Sequence, residues 1–230
     1  MSLAPSCGNK AFVDEQLLRL IKTASTYTVH GLPPIASTIV ELDALLAQGA
    51  RIDGPRGLGE LLKKTIDVNN RPLLRMLLDR GANPNLAIEV NGARGPIQST
   101  LLHAAILRGA GSERVVVTLL AFGADVHAKN GHGATPLDLV AMPRDSIMAH
   151  ILANPLHAAV KICQDPVLCA RFLDQGHSEE QPSVRGETPV AAAKRLDIME
   201  ISAMFDAAKA MRAVDASLAS RSSHPMAKTS

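Results

Sequence analysis

Residues 100–141, TLLHAAILRGAGSERVVVTLLAFGADVHAKNGHGATPLDLVA, say one thing twice: TLLHAA opens at Thr100, and TPLDLV opens at Thr135, 35 residues later (135 − 100). A period of that length is expected when a supersecondary unit that cannot bury its own apolar face is stacked against copies of itself. Within the period the order is a Thr, a short Ala/Leu-rich helix, a turn, a second Leu-rich helix and a Gly. The same order recurs on both sides. STIVELDALLAQGARID ends a unit at Gly49, NRPLLRMLLDRGANPN ends the next at Gly81, SERVVVTLLAFGADVHA a third at Gly123, and DPVLCARFLDQGHS another at Gly176.

These punctuation residues have mechanical reasons. A Gly just past the last apolar residue suits the position where a helix ends with φ > 0, which a Cβ disfavours. Thr135-Pro136, Asn154-Pro155 and Thr188-Pro189 place a capping oxygen before a Pro at the first helical position, where its missing N–H removes no helix bond. Glycines are therefore stops, and these dipeptides are starts.

The totals agree with thin, closely stacked helices. The chain has 230 residues, 47% of them hydrophobic but only 2% aromatic, so the apolar content is mainly Ala, Leu, Ile and Val. That suffices for a sizeable core. A formal charge of +2 is too mild for a nucleic-acid binder, which usually shows a concentrated basic stripe. Cys7, Cys163 and Cys169 are odd in number, and their spacing fits neither a zinc knuckle nor a CxxC motif, so they read as buried thiols in a reducing compartment. MSLAPSCGNK lacks the apolar core of a secretory signal, and no stretch reaches the ~18 apolar residues of a membrane span. A soluble, unprocessed cytoplasmic protein is expected.

The openings TLLHAA, TPLDLV, NPLHAA and TPVAAA, together with the close GADVHA, resemble the T-P-L-H-x-A and G-A-D-V-N-A motifs of the ankyrin repeat. The resemblance runs over roughly residues 12–212. It implies an all-α ankyrin-repeat solenoid of about six helix pairs, near 12–26/37–48, 59–67/70–80, 100–109/112–122, 135–141/145–153, 155–163/166–175 and 188–195/197–212, with short β-hairpin fingers between them. Residues 1–11 are expected to form a flexible tail. From Ala213 the sequence loses periodicity and becomes Ser-rich, so 213–230 is expected to be disordered.

Two departures break the regular spacing. Gly49 to Gly81 is 32 residues (81 − 49), but Gly81 to Gly123 is 42 (123 − 81), so about ten residues are inserted. Conversely, Thr135 to Asn154 is only 19 (154 − 135), too short for a unit with its finger, so the fourth pair should run straight into the fifth. In the insertion, NPNLAIEVNGARGPIQST, Leu86, Ile88 and Val90 alternate with Ala87 and Glu89, and Asn91-Gly92 supplies a type I′ turn. This predicts an enlarged β-finger over 83–99, although Gly95 and Pro96 weaken its return arm and leave a surface loop as the alternative. Ile88, Val90 and Ile97 need cover, from the repeats or from another protein.

No residue set asks for catalysis, cofactor or metal. His103 and His157 sit at the fourth position of the opening motif, where Asp138 and Ala191 stand in other units. The resemblance implies that this His ties the loops of neighbouring units by hydrogen bonds. His127 and His132 flank Lys129 on a finger, but no third ligand completes a metal site. The glycines of GAGSER are ordered for a turn rather than a phosphate cradle.

Ankyrin proteins bind other proteins through fingers and first helices, so the resemblance implies a non-catalytic interaction module. Its partner would be another protein, not nucleic acid or membrane, and the chain alone a monomer. The surface expected from the fingers comprises Arg51, Arg56, Ile88, Val90, Arg94, His127, Lys129, His132 and Arg185. The alternative is an inhibitor or immunity-type protein occluding an enzyme. The Ala- and Arg-rich, Lys-poor composition suits a GC-rich bacterial genome, with the protein in the bacterial cytosol or, as a secreted effector, in a host.

Overall fold

A computed structural model of the chain describes residues 58–92, 95–140 and 147–222, together with 15, 16, 19, 20, 40, 41, 43–45, 47 and 48. The chain groups into two compact units, Met1–Ala153 and Asn154–Ser230. The described positions before 48 are all helical, and they fall inside the first expected pair.

In the first unit, α1 (Leu58–Asp67) and α2 (Arg71–Asp79) are followed by β1 (Ala87–Gly92) and β2 (Gly95–Thr100), then by α3 (Leu101–Arg108), α4 (Glu113–Ala121) and α5 (Ile147–Ala153). The second and third pairs thus lie where the spacing expects them. First helices pack on first helices, α1 against α3, and second on second, α2 against α4. Leu62, Ile66, Leu74, Leu77, Leu101, Leu102 and Leu119 are fully buried at these contacts, each stabilising the stack by about 2 kcal/mol relative to exposure. Asn70 starts α2 by accepting the Leu73 N–H at 3.1 Å.

The stops work as expected. Gly81, Gly123 and Gly176 have φ of 90°, 85° and 88°. In each case the next residue's N–H reaches back into the helix: Ala82 to the Leu77 carbonyl (3.1 Å), Ala124 to Leu119 (3.0 Å) and His177 to Phe172 (2.9 Å). That bond satisfies a carbonyl the helix end would otherwise leave open.

After Thr135 the helix expected over 135–141 is replaced by a turn at 136–139. Asp138 folds back so that its Oδ2 accepts both the Thr135 N–H (2.8 Å) and the Thr135 hydroxyl (2.7 Å). With the Asp138 N–H on the Thr135 hydroxyl at 3.3 Å this is the reciprocal pattern of a helix start, but only a single turn follows it. Residues 141–146 lie outside the described residues. Only Asn154 separates α5 from the next helix in sequence, so no finger intervenes there.

The second unit holds α6 (Pro155–Ala158), which continues as one π-helical turn over Ala159–Cys163, then α7 (Pro166–Asp174), α8 (Pro189–Arg195) and α9 (Met199–Ser222). The Gln164 N–H bonds the Ala159 carbonyl at 2.9 Å, and Gln164 itself has φ 51°, which ends the turn. Leu156, Val160, Leu168, Cys169, Phe172, Ala192, Ala193, Ile201 and Phe205 fill the core. Asp165 and Thr188 cap α7 and α8, ahead of Pro166 and Pro189.

The last helix corrects one expectation. It runs ten residues past the point, after 212, where the ordered repeats were expected to end (222 − 212). No Gly or Pro interrupts 199–222, and Ala, Met, Lys and Arg are good helix formers, so propensity carries the helix on after its apolar face is spent. Residues 211–217 are correspondingly exposed.

Candidate interaction surface

The insertion folds as an antiparallel hairpin with Ile88 opposite Ser99, Glu89 opposite Gln98, Val90 opposite Ile97 and Gly92 opposite Gly95. The expected turn at Asn91-Gly92 is therefore displaced: both residues belong to β1, and the connection is 93–94, outside the described residues. A turn at 91–92 would have set Val90 against Ala93 and Ile88 against Gly95, whereas the observed register pairs Val90 with Ile97. Cross-strand apolar pairing outweighs the local turn preference.

Pro96 costs this hairpin no ladder bond. The Glu89 carbonyl accepts the Lys63 Nζ at 2.8 Å and the Gln98 carbonyl accepts the Gly131 N–H at 2.7 Å, so the Glu89–Gln98 pair directs its polar groups outward. In an antiparallel ladder such pairs alternate with hydrogen-bonded ones, so Asn91–Pro96, two residues on, also faces outward, where an absent N–H is tolerated.

Ile88, expected on the recognition surface, is instead 4% exposed. It packs against α1: a Cβ built on Gly59 would sit 3.3 Å from Ile88 Cγ2. The cover for this apolar residue is the repeat itself, so Ile88 belongs to the core. Val90 and its partner Ile97 are half-buried. Ile97 lies so close to the next finger that a Cβ at Gly131 would come within 3.2 Å of its Cγ2, which explains glycine at the point where the fingers join.

The following finger is a rigid loop. Asn130 Oδ1 accepts the N–H groups of His132 and Ala134, both at 3.0 Å, the Asn130 N–H bonds the Ala134 carbonyl at 2.9 Å, and Asp125 Oδ1 accepts the His127 N–H at 2.8 Å. With the backbone so satisfied, the side chains of His127, Lys129 and His132 are left exposed. His103 ties this loop to α3. It is 0% exposed, its Nδ1 takes the Thr100 N–H at 3.3 Å, and its Nε2 stands 3.0 Å from the Ala134 carbonyl. A carbonyl accepts only, so Nε2 carries the proton and the ring is a structural latch.

The second unit repeats this loop with other side chains. The Ser183 N–H bonds the Glu187 carbonyl at 2.9 Å, as Asn130 does Ala134, and Arg185 projects exposed from the tip. Here His157 Nε2 meets the Glu187 carboxylate at 3.3 Å rather than a carbonyl. Burial and the neighbouring Lys161 depress the His157 pKa below its ordinary value, outweighing the pull of Glu187. Arg51, Arg56 and Arg94 lie outside the described residues.

Spacing alone did not reveal three polar residues. Asn85 bridges units, its amide donating to the Gly123 carbonyl (2.9 Å) while its Oδ1 accepts the Asp125 N–H (2.7 Å). Glu187 gathers three basic side chains. Glu179 is 2% exposed and ion-paired with Arg212. Counting from the stop glycines, Glu179 occupies the place of Val126, and an acid at an apolar repeat position was the available signal.

Among the described residues no group of three His, Cys, Asp or Glu could hold a metal ion, and no helix is long and apolar enough to cross a membrane. Cys169 is fully buried, and burial pushes its thiol up to about 12.

A β-finger, a helix pair closed by a positive-φ glycine, and a histidine latch to the next finger together define a helical repeat. Residues 98–131 match the ankyrin repeat family model. The ends of that match, Gln98 and Gly131, are hydrogen-bonded to each other, so it covers one structural period. The chain thus carries an ankyrin repeat at 98–131. It is also 31% identical over 138 residues to Rabankyrin-5 of Homo sapiens; the match takes in 55% of this chain and 12% of that protein. Ankyrin repeats are generally non-catalytic protein-interaction modules.

Proposed function

We propose that this chain is a non-catalytic protein-interaction module, an ankyrin array over 12–212 that acts as a monomer in a cytosol and engages a partner protein through its fingers. One observation carries the reading: the finger backbones satisfy their own hydrogen bonds, while His127, Lys129, His132 and Arg185 are held outward with their polar atoms open to solvent. A finger backbone already fixed in this way loses little entropy on binding. Val90 and the fingers that carry Arg51, Arg56 and Arg94 complete the proposed surface.

Affinity capture from native lysate, with the wild-type chain and the Lys129→Glu/Arg185→Glu variant side by side, tests this. The wild type should retain a protein that the folded variant loses. Equal retention by both would remove the fingers from the interface.

A further inference from the structure

The finger of the second unit ends on a carboxylate where the first has Ala134. Around Glu187 stand Arg195 Nε at 2.7 Å, Lys161 Nζ at 3.4 Å and His157 Nε2 at 3.3 Å. Arg185 lies two residues earlier in the same finger, exposed and in no ion pair among the described residues, and Lys194 is exposed beside Arg195 on α8. The two other acids of the finger are engaged by α9, Glu179 by Arg212 and Glu180 by Lys209 at 2.9 Å. One carboxylate thus meets Lys161 and Arg195, and Arg185 and Lys194, close to them in sequence, are exposed with no acid paired to them among the described residues. The side chains of Lys161 and Arg195 remain 39% and 55% exposed, open to an incoming group.

We propose that this cluster docks an Asp/Glu-rich segment of the partner protein, with Glu187 acting as a built-in placeholder that pre-orients the cations. The inference rests on the interaction-module reading above. The grip of two of these cations on Glu187 is visible in its carboxyl, held down to about 2, first by its bond to Arg195 and then by the charges of Arg195 and Lys161. A peptide fits better than a nucleic acid. The finger 177–188 and α8 contain no Phe, Tyr or Trp on which bases could stack, and the whole chain carries only +2.

Because Glu187 repels an acidic ligand while orienting its ligands, neutralising it should strengthen binding. Fluorescence anisotropy on the full chain would use three labelled probes: a Glu/Asp-rich decapeptide, its Gln/Asn counterpart, and a single-stranded RNA. The acidic peptide should bind and weaken with salt, and the neutral one should not bind. Glu187→Gln should tighten binding about five-fold, as removal of one charge a few ångströms away predicts. Arg195→Glu should weaken it at least as much. Arg185→Glu, which disturbs no ion pair among the described residues, should also weaken it, and serves if the other variants fail to fold. Absent binding, or affinity unmoved by Arg185→Glu, overturns the proposal. Preferential binding of RNA overturns it in favour of a nucleic acid. Retention of a native partner that is lost with Lys129→Glu but not with Arg195→Glu would leave the module standing and remove this cluster alone.

Discussion

The fingers of the two units obey one grammar and are held by opposite physics. In the first unit, Ile88 packs on α1, Val90 pairs with Ile97, and His103 latches the next loop as a neutral donor to a carbonyl. In the second, the equivalent loop is held by carboxylates: Glu179 on Arg212, Glu180 on Lys209, and Glu187 among His157, Lys161 and Arg195. The difference at the latch comes down to one residue, Ala134 against Glu187. A backbone carbonyl gives the histidine an uncharged acceptor. A carboxylate turns the same position into an ion cluster that responds to pH and salt.

The largest effect should come from Ile88→Asp, which places a charge where a methyl group met Gly59. Urea denaturation should show a loss of about 4 kcal/mol, and a loss below about 1 kcal/mol would mean that the hairpin is not anchored by apolar packing.

His103→Leu should follow, at about 2 kcal/mol, because it leaves the part-buried Thr100 N–H without its partner and takes from the Ala134 carbonyl one of its two bonds, that of Asn130 remaining. His157→Leu, where water can reach Glu187, should cost about half as much. Equal losses would erase the distinction between the two latches.

Acid should separate the units next. Glu187 is held below its ordinary value of 4.5, at about 2, so its contribution is complete above pH 4.5 and disappears as the pH falls towards 2. Glu179 is shifted the same way: burial raises its pKa, but the bond and charge of Arg212, a backbone hydrogen bond and the charge of Lys209 together outweigh it. His157, also depressed, adds a loss beginning below pH 6.5, because its unfolded form takes the proton more readily. Hydrogen exchange across pH 7 to 3 should therefore show protection falling in 155–195 before 101–124. Simultaneous loss in both would contradict the charged character of the second finger.

The smallest effect concerns reactivity. Cys169, buried with its thiol raised to about 12, should resist maleimide at neutral pH in the folded protein and react once unfolded. Rapid labelling of the native protein would show that the core around Phe172 opens.

The sequence by itself determined the repeat. Gly81, Gly123 and Gly176 as stops, Thr188 as a cap, and the helices between them follow from local rules, since a positive φ or an unsatisfied N–H concerns only a few neighbouring residues; of the other expected caps, Asn154 makes no capping bond and Thr135 is followed by a turn. Contacts between distant residues were decided only in the tertiary structure. Ile88 alternates as a surface strand would, and only α1, more than twenty positions earlier in sequence, makes it core. The Asn91-Gly92 turn yielded to the register in which Val90 meets Ile97. Glu187 and Glu179 acquire their meaning from Arg195 and Arg212, whose approach depends on how helices pack. Local propensities are worth tenths of a kcal/mol to about 1 kcal/mol each, while burial and pairing are worth several-fold more, so where the two disagreed, as in the hairpin, long-range contact prevailed.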